Sequence, residues 1–213
     1  MGNRRSKEEL DQVAVDVEFL LISVVQGVAL AALATSAAPI IGGLNAEYFF
    51  YVASAFLFIL VFWSAAIGHV LSFIDWPLDL IHNFLYLLAS LFEVIAFSYL
   101  KDPARWFGFV SLFLGIIGAL YIWDLKLIKK HKSMLSEKLY ADILAEQRYE
   151  LLVLFPAGLL YSVVATVLTV YYPGLFIAGH YHVALIAIQS VFSLIVLGTS
   201  AKAFKRRSRL IEE

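Results

Sequence analysis

Cysteine is absent from this chain of 213 residues. Its absence excludes disulfide bonds, thiolate metal sites and a cysteine nucleophile, and it leaves the redox compartment undetermined. The chain also lacks a Walker loop, a His-Glu-x-x-His helix, a Gly-x-Ser-x-Gly elbow and a dinucleotide fingerprint. No catalytic constellation is recognisable, so we predict neither an enzyme nor a bound cofactor or metal.

Charged residues are also scarce. They make up 15% of the chain, while 62% of it is hydrophobic; an ordinary soluble domain has about 25% charged residues. A soluble protein of this size could not cover so much apolar surface. The composition therefore indicates that the lipid bilayer is the main partner. The net charge of −1 gives no reason to expect a nucleic-acid partner.

Long apolar segments dominate what is present. About 20 apolar residues cross the hydrocarbon core as a helix, and an open sheet could not pair its edges in lipid. Most of the breaks between the segments contain proline, which disrupts helices. The predicted fold is an all-α integral membrane bundle of about six transmembrane helices. The six segments are Val17–Ala38, Tyr48–Gly68, Leu78–Leu100, Trp106–Trp123, Leu151–Tyr172 and Val183–Ala203.

The distribution of basic residues predicts the orientation. All of the 16 except Lys101 and Arg105 lie before the first segment, between the fourth and fifth, or at the end of the sixth and after it. By the positive-inside rule, both termini are expected to be cytoplasmic in a multi-pass protein of the cell membrane. The predicted parts are a polar N-terminus at 1–16, four membrane helices at 17–123, a basic linker helix at 124–150, two membrane helices at 151–204 and a basic tail at 205–213.

The first segment carries a face of polar, small and aliphatic residues. Ser23, Gln26, Leu30 and Leu33 recur at helical spacing and share one side of the helix. We interpret them as candidates for lining a pore whose upper part is a hydrophobic constriction. The alternative is a helix-packing face, in which small residues allow close approach and Gln26 bonds to a neighbouring helix.

A second group of polar residues lies between the second and third segments. Its histidine and acid spacing would suit a metal site, but Pro77 interrupts a continuous helix. Capping of the third helix and hydrogen bonds between helices are the favoured interpretation. The group consists of His69, Asp75, Asp79, His82 and Asn83.

Glu93 lies past the middle of the third segment. An ionised carboxylate is costly in lipid, so this side chain should be protonated, paired or facing water. Two roles are possible for Glu93: transfer of an ion or a proton, or a buried hydrogen bond, for which Gln189 is one candidate partner.

His180 and His182 lie at the start of the sixth segment. We interpret them as interfacial histidines, with pH sensing as an alternative.

The stretch from His69 to Trp123 resembles the bacterial relatives of the lysosomal potassium-leak channel family. The resembling features are His69, Asp75 or Asp79, Asn83 and the run from Leu85 to Phe92. Where that family has Phe-Ser-Asp in its first span, this chain has Ile22-Ser23-Val24. The resemblance implies six spans, cytoplasmic termini, and a potassium pore lined by the first helix near Ser23, Leu30 and Leu33.

Three functions are compatible with this sequence. The leading hypothesis is a channel-like protein that passes monovalent cations, with potassium favoured, as a homo-oligomer around the first helix. The first alternative is a non-catalytic subunit or assembly factor of a larger membrane complex. The second alternative is a proton-coupled secondary transporter that uses Glu93.

Overall fold

The computed structural model describes residues 2–72 and 79–212, with side chains described from 13 to 209 except at 14, 69, 71, 72 and 134. All regular elements in these ranges are helical. Short 3₁₀ turns cover Ala46–Tyr48 and Lys132–Met134, and a π-turn covers Glu150–Leu154. The α-helices are α1 (Gly2–Gly42), α2 (Phe49–Ser72), α3 (Leu80–Phe97), α4 (Pro103–Lys130), α5 (Glu137–Tyr149), α6 (Phe155–Tyr171), α7 (Pro173–Phe176) and α8 (His182–Glu212).

Within the described ranges, six helical segments are long and apolar enough to cross a membrane, which confirms the predicted all-α membrane bundle. Five of them belong to α1, α2, α3, α4 and α8. The remaining segment, Glu137–Tyr171, joins α5, the π-turn and α6 into one helical unit. Several helices extend beyond the apolar runs that identify them, since α1 begins at Gly2, α4 ends at Lys130 and α8 ends at Glu212.

Polar side chains cap three of the helices at their starts. In each case a side-chain oxygen accepts the backbone N–H three residues later, which satisfies a donor that the first helical turn leaves unpaired. The caps are Asp79 to His82 for α3, Asp102 to Arg105 for α4, and Ser136 to Leu139 for α5. These caps fix where each helix begins after a break in the apolar pattern.

Successive membrane helices run in opposite directions and define two sides of the bundle. We call the end where α4 passes into α5, at His131–Ser136, the linker side. We call the opposite end, with the turns at 43–48, 98–102 and 172–181, the far side. α3 therefore begins on the linker side and ends on the far side, and α8 does the reverse.

The helices pack in a connected series. α1 contacts both α2 and α3, α3 contacts α4, α4 contacts α6, and α2 contacts α8. One apolar cluster fills the far half around Trp106, Tyr51 and Phe97. A second fills the linker half around Phe62 and Tyr86, whose rings are stacked at 4.9 Å. The polar groups described below lie between and beside these clusters.

Ion pairs fasten the linker helix α5 to the end of α8. Arg206 and Arg207 contact Asp142 and Glu146, and the Arg207 Nη2 donates to Glu146 Oε2 at 2.9 Å. The π-turn then leads into α6, where Pro156 lies in the first turn. Because proline cannot donate a backbone hydrogen bond, a wider turn at this point fits its missing N–H.

Candidate functional site

α3 carries a stripe of polar side chains along its inward face. His82, Tyr86, Ser90 and Glu93 follow one another at intervals of four, four and three residues, so they share one side of the helix. Tyr86, Ser90 and Glu93 are buried. At 1.5 Å per residue the stripe rises about 17 Å from the linker side into the bundle. We call these four residues the α3 polar stripe.

The linker end of the stripe is held by a pair between two helices. His82 Nδ1 and Asp124 Oδ1 of α4 are 2.8 Å apart, and Asp124 is buried. Beside them, Asp79 Oδ1 accepts the His82 N–H at 2.8 Å and the Trp123 indole N–H at 2.9 Å. Two acids thus connect the start of α3 to the last membrane turns of α4.

The electrostatics of Asp79 follow from these bonds. Burial disfavours its charged form, but hydrogen bonds from the His82 N–H, the Trp123 indole and the Ile81 N–H outweigh burial, so the pKa of Asp79 is lowered. The carboxylate is therefore ionised at neutral pH. Its negative charge lies at the N-terminus of α3, where the helix dipole favours it.

Next to the pair lies a cavity of about 100 Å³ that opens on the linker side between α1, α2, α3, α4, α5 and α8. A single water needs about 10–15 Å³ of such volume, so several waters or a small cation fit. Carboxyl groups outnumber cationic groups around it, which favours a cation as its occupant. The acidic and basic side chains in its lining are Glu18, His82, Asp124, Glu146, Glu150 and Arg207.

Above this cavity the stripe continues through a contact with α1. Gln26 Nε2 donates to the Tyr86 hydroxyl at 3.4 Å, and the Ser90 hydroxyl donates to the Tyr86 carbonyl at 3.0 Å. Tyr86 lies in the wall of the cavity and also contacts Ser90, the next residue of the stripe.

Glu93 ends the stripe in the far half of the bundle. Its side chain is 1% exposed. Among the described residues, neither of its carboxyl oxygens has a hydrogen-bond partner. Gln189, a candidate partner in the sequence, instead donates from Nε2 to Ser54 Oγ at 3.0 Å. A buried carboxyl group without a protein partner favours its neutral form strongly over the anion.

A second cavity of about 100 Å³ adjoins the first. It lies between α2, α4, α6 and α8, and its walls are mainly apolar. Phe62, Ala65, Ile117, Tyr121 and Glu150 line both cavities. The second cavity reaches Ser162, Gln189 and Ser193 at mid-depth. The two cavities together extend the accessible space from the linker side towards the middle of the membrane.

The structure divides the four pore-lining candidates of α1 into two environments. Gln26 and Leu33 are buried against neighbouring helices of the same chain. Ser23 and Leu30 are exposed on the outside of the bundle, and the Ser23 hydroxyl bonds to the carbonyl of Phe19. A pore lined by all four residues is therefore not present within one chain among the described residues.

The polar cluster between the second and third segments is only partly described. Asp75 lies outside the described residues, as does the side chain of His69. Asp79 acts as a cap, as the favoured interpretation expects, and His82 and Asn83 line the linker-side cavity. The sequence alone does not identify Asp124 as part of the site, because this residue is the first of the predicted linker at 124–150. The sequence feature that points to Asp124 is an acidic residue directly after an apolar span.

Comparisons with known proteins give no relative. The chain matches no family model, no curated protein and no solved structure.

Proposed function

We propose that this chain is a secondary transporter that moves a small monovalent cation across the membrane and couples the movement to protonation of Glu93. The α3 polar stripe carries this proposal, because it runs from an acid-lined cavity on one side towards a carboxyl group deep in the bundle that has no hydrogen-bond partner in the described part of the chain. Ionisable groups inside a membrane protein are costly, and they mark ion and proton routes.

The linker-side cavity is the proposed binding site. Carboxyl groups from α1, α4, α5 and the π-turn surround it. Oxygen ligands of this kind suit a cation that has lost part of its water shell. The His82–Asp124 pair lies in the wall and can exchange a proton with the cavity, since an imidazole and a carboxylate share one hydrogen bond there.

Glu93 provides the coupling in this proposal. In the apolar surroundings of Glu93, its anion is too costly to persist alone. Because Glu93 lines neither cavity, its carboxyl group holds a proton while it is isolated, and it ionises only if the helices rearrange to bring it into contact with the bound cation. If the proton and the cation bind in alternation, and each stabilises a different arrangement of the helices, movement of one drives movement of the other.

The test is flux in proteoliposomes that contain the purified chain, with potassium, sodium and a large organic cation compared. We expect a gradient of the preferred small cation to move protons, and a pH gradient to move that cation. Glu93→Gln removes the titratable group but keeps its shape. It should reduce proton movement to the rate of empty liposomes.

Thr169→Val is the matched control. Thr169 is buried in α6, its hydroxyl bonds to the Ala165 carbonyl, and it lines neither cavity. Its variant should keep coupled flux. Coupled flux that survives in Glu93→Gln would contradict the proposal. A complete lack of flux with folded, monodisperse protein would contradict transport altogether and favour a subunit of a larger complex.

A cation channel formed by several copies is the second candidate, and the outward face of α1 favours it. Gly27, Ala31 and Ala34 are exposed on this face near Ser23 and Leu30. Small residues let helices of different copies approach closely. The resemblance to the potassium-leak channel family also supports a pore at this helix.

The same liposomes distinguish the two candidates. A channel would pass cations without moving protons, and Glu93→Gln would leave its flux unchanged. Leu30→Trp would place a bulky side chain in such a pore and reduce flux strongly. In the transporter, Leu30 faces away from the cavities, so the same substitution should leave coupled flux largely intact.

A further inference from the structure

Three potential metal ligands from two separate turns meet on the far side of the bundle. Glu47 lies in the 3₁₀ turn before α2, while His180 lies in the turn before α8 and His182 is the first residue of α8. One ligand atom from each residue can be chosen so that all three lie within 4.8 Å of one another. The Glu47 Oε2 is 2.7 Å from His180 Nδ1 and 3.9 Å from His182 Nε2.

These separations suit a tetrahedral transition-metal ion. Zinc binds histidine nitrogen and carboxylate oxygen at about 2.0–2.2 Å, which places neighbouring ligands of a tetrahedron about 3.3–3.6 Å apart. The two distances from Glu47 lie on either side of this range, so small shifts of the side chains would bring Glu47 to ligand spacing with each histidine. Imidazole ligands favour zinc over magnesium or calcium.

The surroundings of His182 fix which of its nitrogens is available. Its Nδ1 is 3.2 Å from the Tyr51 hydroxyl, and the Tyr48 ring stacks on the imidazole with ring centres 5.9 Å apart. His182 is 1% exposed, so its ring is held in place. When Nδ1–H donates to Tyr51, the lone pair of Nε2 points to the Glu47 side. Supporting bonds of this kind orient metal-binding histidines.

His180 supplies the exposed side of the cluster. Its backbone has a φ of 61°, in the left-handed region that residues other than glycine rarely adopt. This conformation costs free energy, and it holds the imidazole against Glu47. The turn before it is also tight, because a Cβ at Gly179 would clash with the Leu175 carbonyl. Since the His180 side chain is 68% exposed, a metal could reach the cluster from solvent.

We propose that Glu47, His180 and His182 form a binding site for zinc, with a fourth position open to water. The ion would join the turn before α2 to the start of α8, two helices that already pack together. It would therefore stabilise the far ends of this pair. This site is separate from the linker-side cavity and does not depend on the transport proposal.

The test is titration of the metal-stripped full chain in detergent with zinc chloride, followed by calorimetry. We expect one zinc ion per chain and a rise in the unfolding temperature on binding. Magnesium at the same concentration should give neither. His180→Ala removes an exposed ligand with little risk to folding, and Glu47→Gln removes the anionic ligand. Each should weaken zinc binding by at least about tenfold.

Two further variants test the hydrogen bond that orients His182 and the specificity of zinc binding for the three ligands. Tyr51→Phe keeps all three ligands but removes the hydroxyl beside His182, and it should weaken zinc binding by about 10–100-fold. His131→Ala is the matched control, because His131 lies on the linker side next to its own helix carbonyl at Leu127. It should bind zinc as the unchanged chain does.

The proposal is overturned if the folded, unchanged chain does not bind zinc. It is also overturned if His180→Ala and Glu47→Gln retain full affinity and stoichiometry, because zinc would then be bound elsewhere. In either case the three side chains form only a hydrogen-bonded group.

Discussion

At the scale of single residues, buried acids in this chain differ in what surrounds them. Asp124 and Glu93 are both almost fully buried, at 3% and 1% exposure. Asp124 has His82 at 2.8 Å, whereas Glu93 has no hydrogen-bond partner among the described residues. A paired acid stabilises the contact between two helices. An unpartnered acid costs stability and is retained more readily for function than for folding.

Asp79 gives a prediction at this scale. Asp79→Ala removes a helix cap, worth about 1 kcal/mol, and the bond from Trp123, worth about another 1 kcal/mol. We expect the free energy of unfolding in detergent to fall by about 2 kcal/mol. Asp102→Ala, which removes the exposed cap of α4, should cost about half as much. Equal losses in the two variants would show that the Trp123 bond contributes nothing.

The effect of Asp79 should also depend on pH. Because its folded-state pKa is lowered, its stabilising effect is complete above the unfolded value of about 3.9. It is lost as the pH falls through the folded-state pKa. The difference in unfolding free energy between the unchanged chain and Asp79→Ala should therefore shrink at acidic pH and remain constant near neutrality.

At the scale of helices, α4 and the start of α6 meet through a glycine. A Cβ at Gly118 would overlap the Phe155 ring, which lies directly on the α4 backbone. We expect Gly118→Ala to lower the free energy of unfolding by about 1–3 kcal/mol through overpacking. Thermal unfolding in detergent measures this effect.

Gly115→Ala is the control on the same helix. A Cβ there would meet no atom within 4 Å, so stability should stay the same or rise slightly. Combining Gly118→Ala with Phe155→Leu should recover part of the lost stability. If Gly118→Ala alone proved neutral, the close contact between α4 and the Phe155 ring would be disproved.

The helices also show what the sequence could and could not predict. Six apolar runs and their prolines identified the membrane helices, because lipid leaves a spanning chain few alternatives to helix. The polar extension of α4 to Lys130 has no such constraint, so hydropathy could not place its end. The contacts of the candidate site could not be predicted from the sequence either. The pair of His82 and Asp124, for example, joins residues 42 positions apart.

At the scale of the whole molecule, the two proposed sites lie at opposite ends of the bundle, with the apolar clusters and the α3 polar stripe between them. Glu18, Asp124 and Glu150 surround the linker-side cavity, while Glu47 and His180 lie on the far side. The far half between them is packed around Trp106 and Phe97. The two proposed sites therefore face opposite sides of the membrane, and the orientation of the chain decides which compartment each one samples.

The absence of cysteine makes this orientation directly testable, because a single introduced cysteine is the only thiol in the chain. Ser133→Cys places a thiol in the exposed turn after α4, and Gly174→Cys places one on the far side, where a Cβ meets no atom within 4 Å. If basic residues keep the linker inside, a membrane-impermeant maleimide should label intact cells only at Gly174→Cys. After the cells are opened, both variants should react. Labelling of Ser133→Cys alone in intact cells would reverse the orientation and expose the acid-lined cavity to the outside.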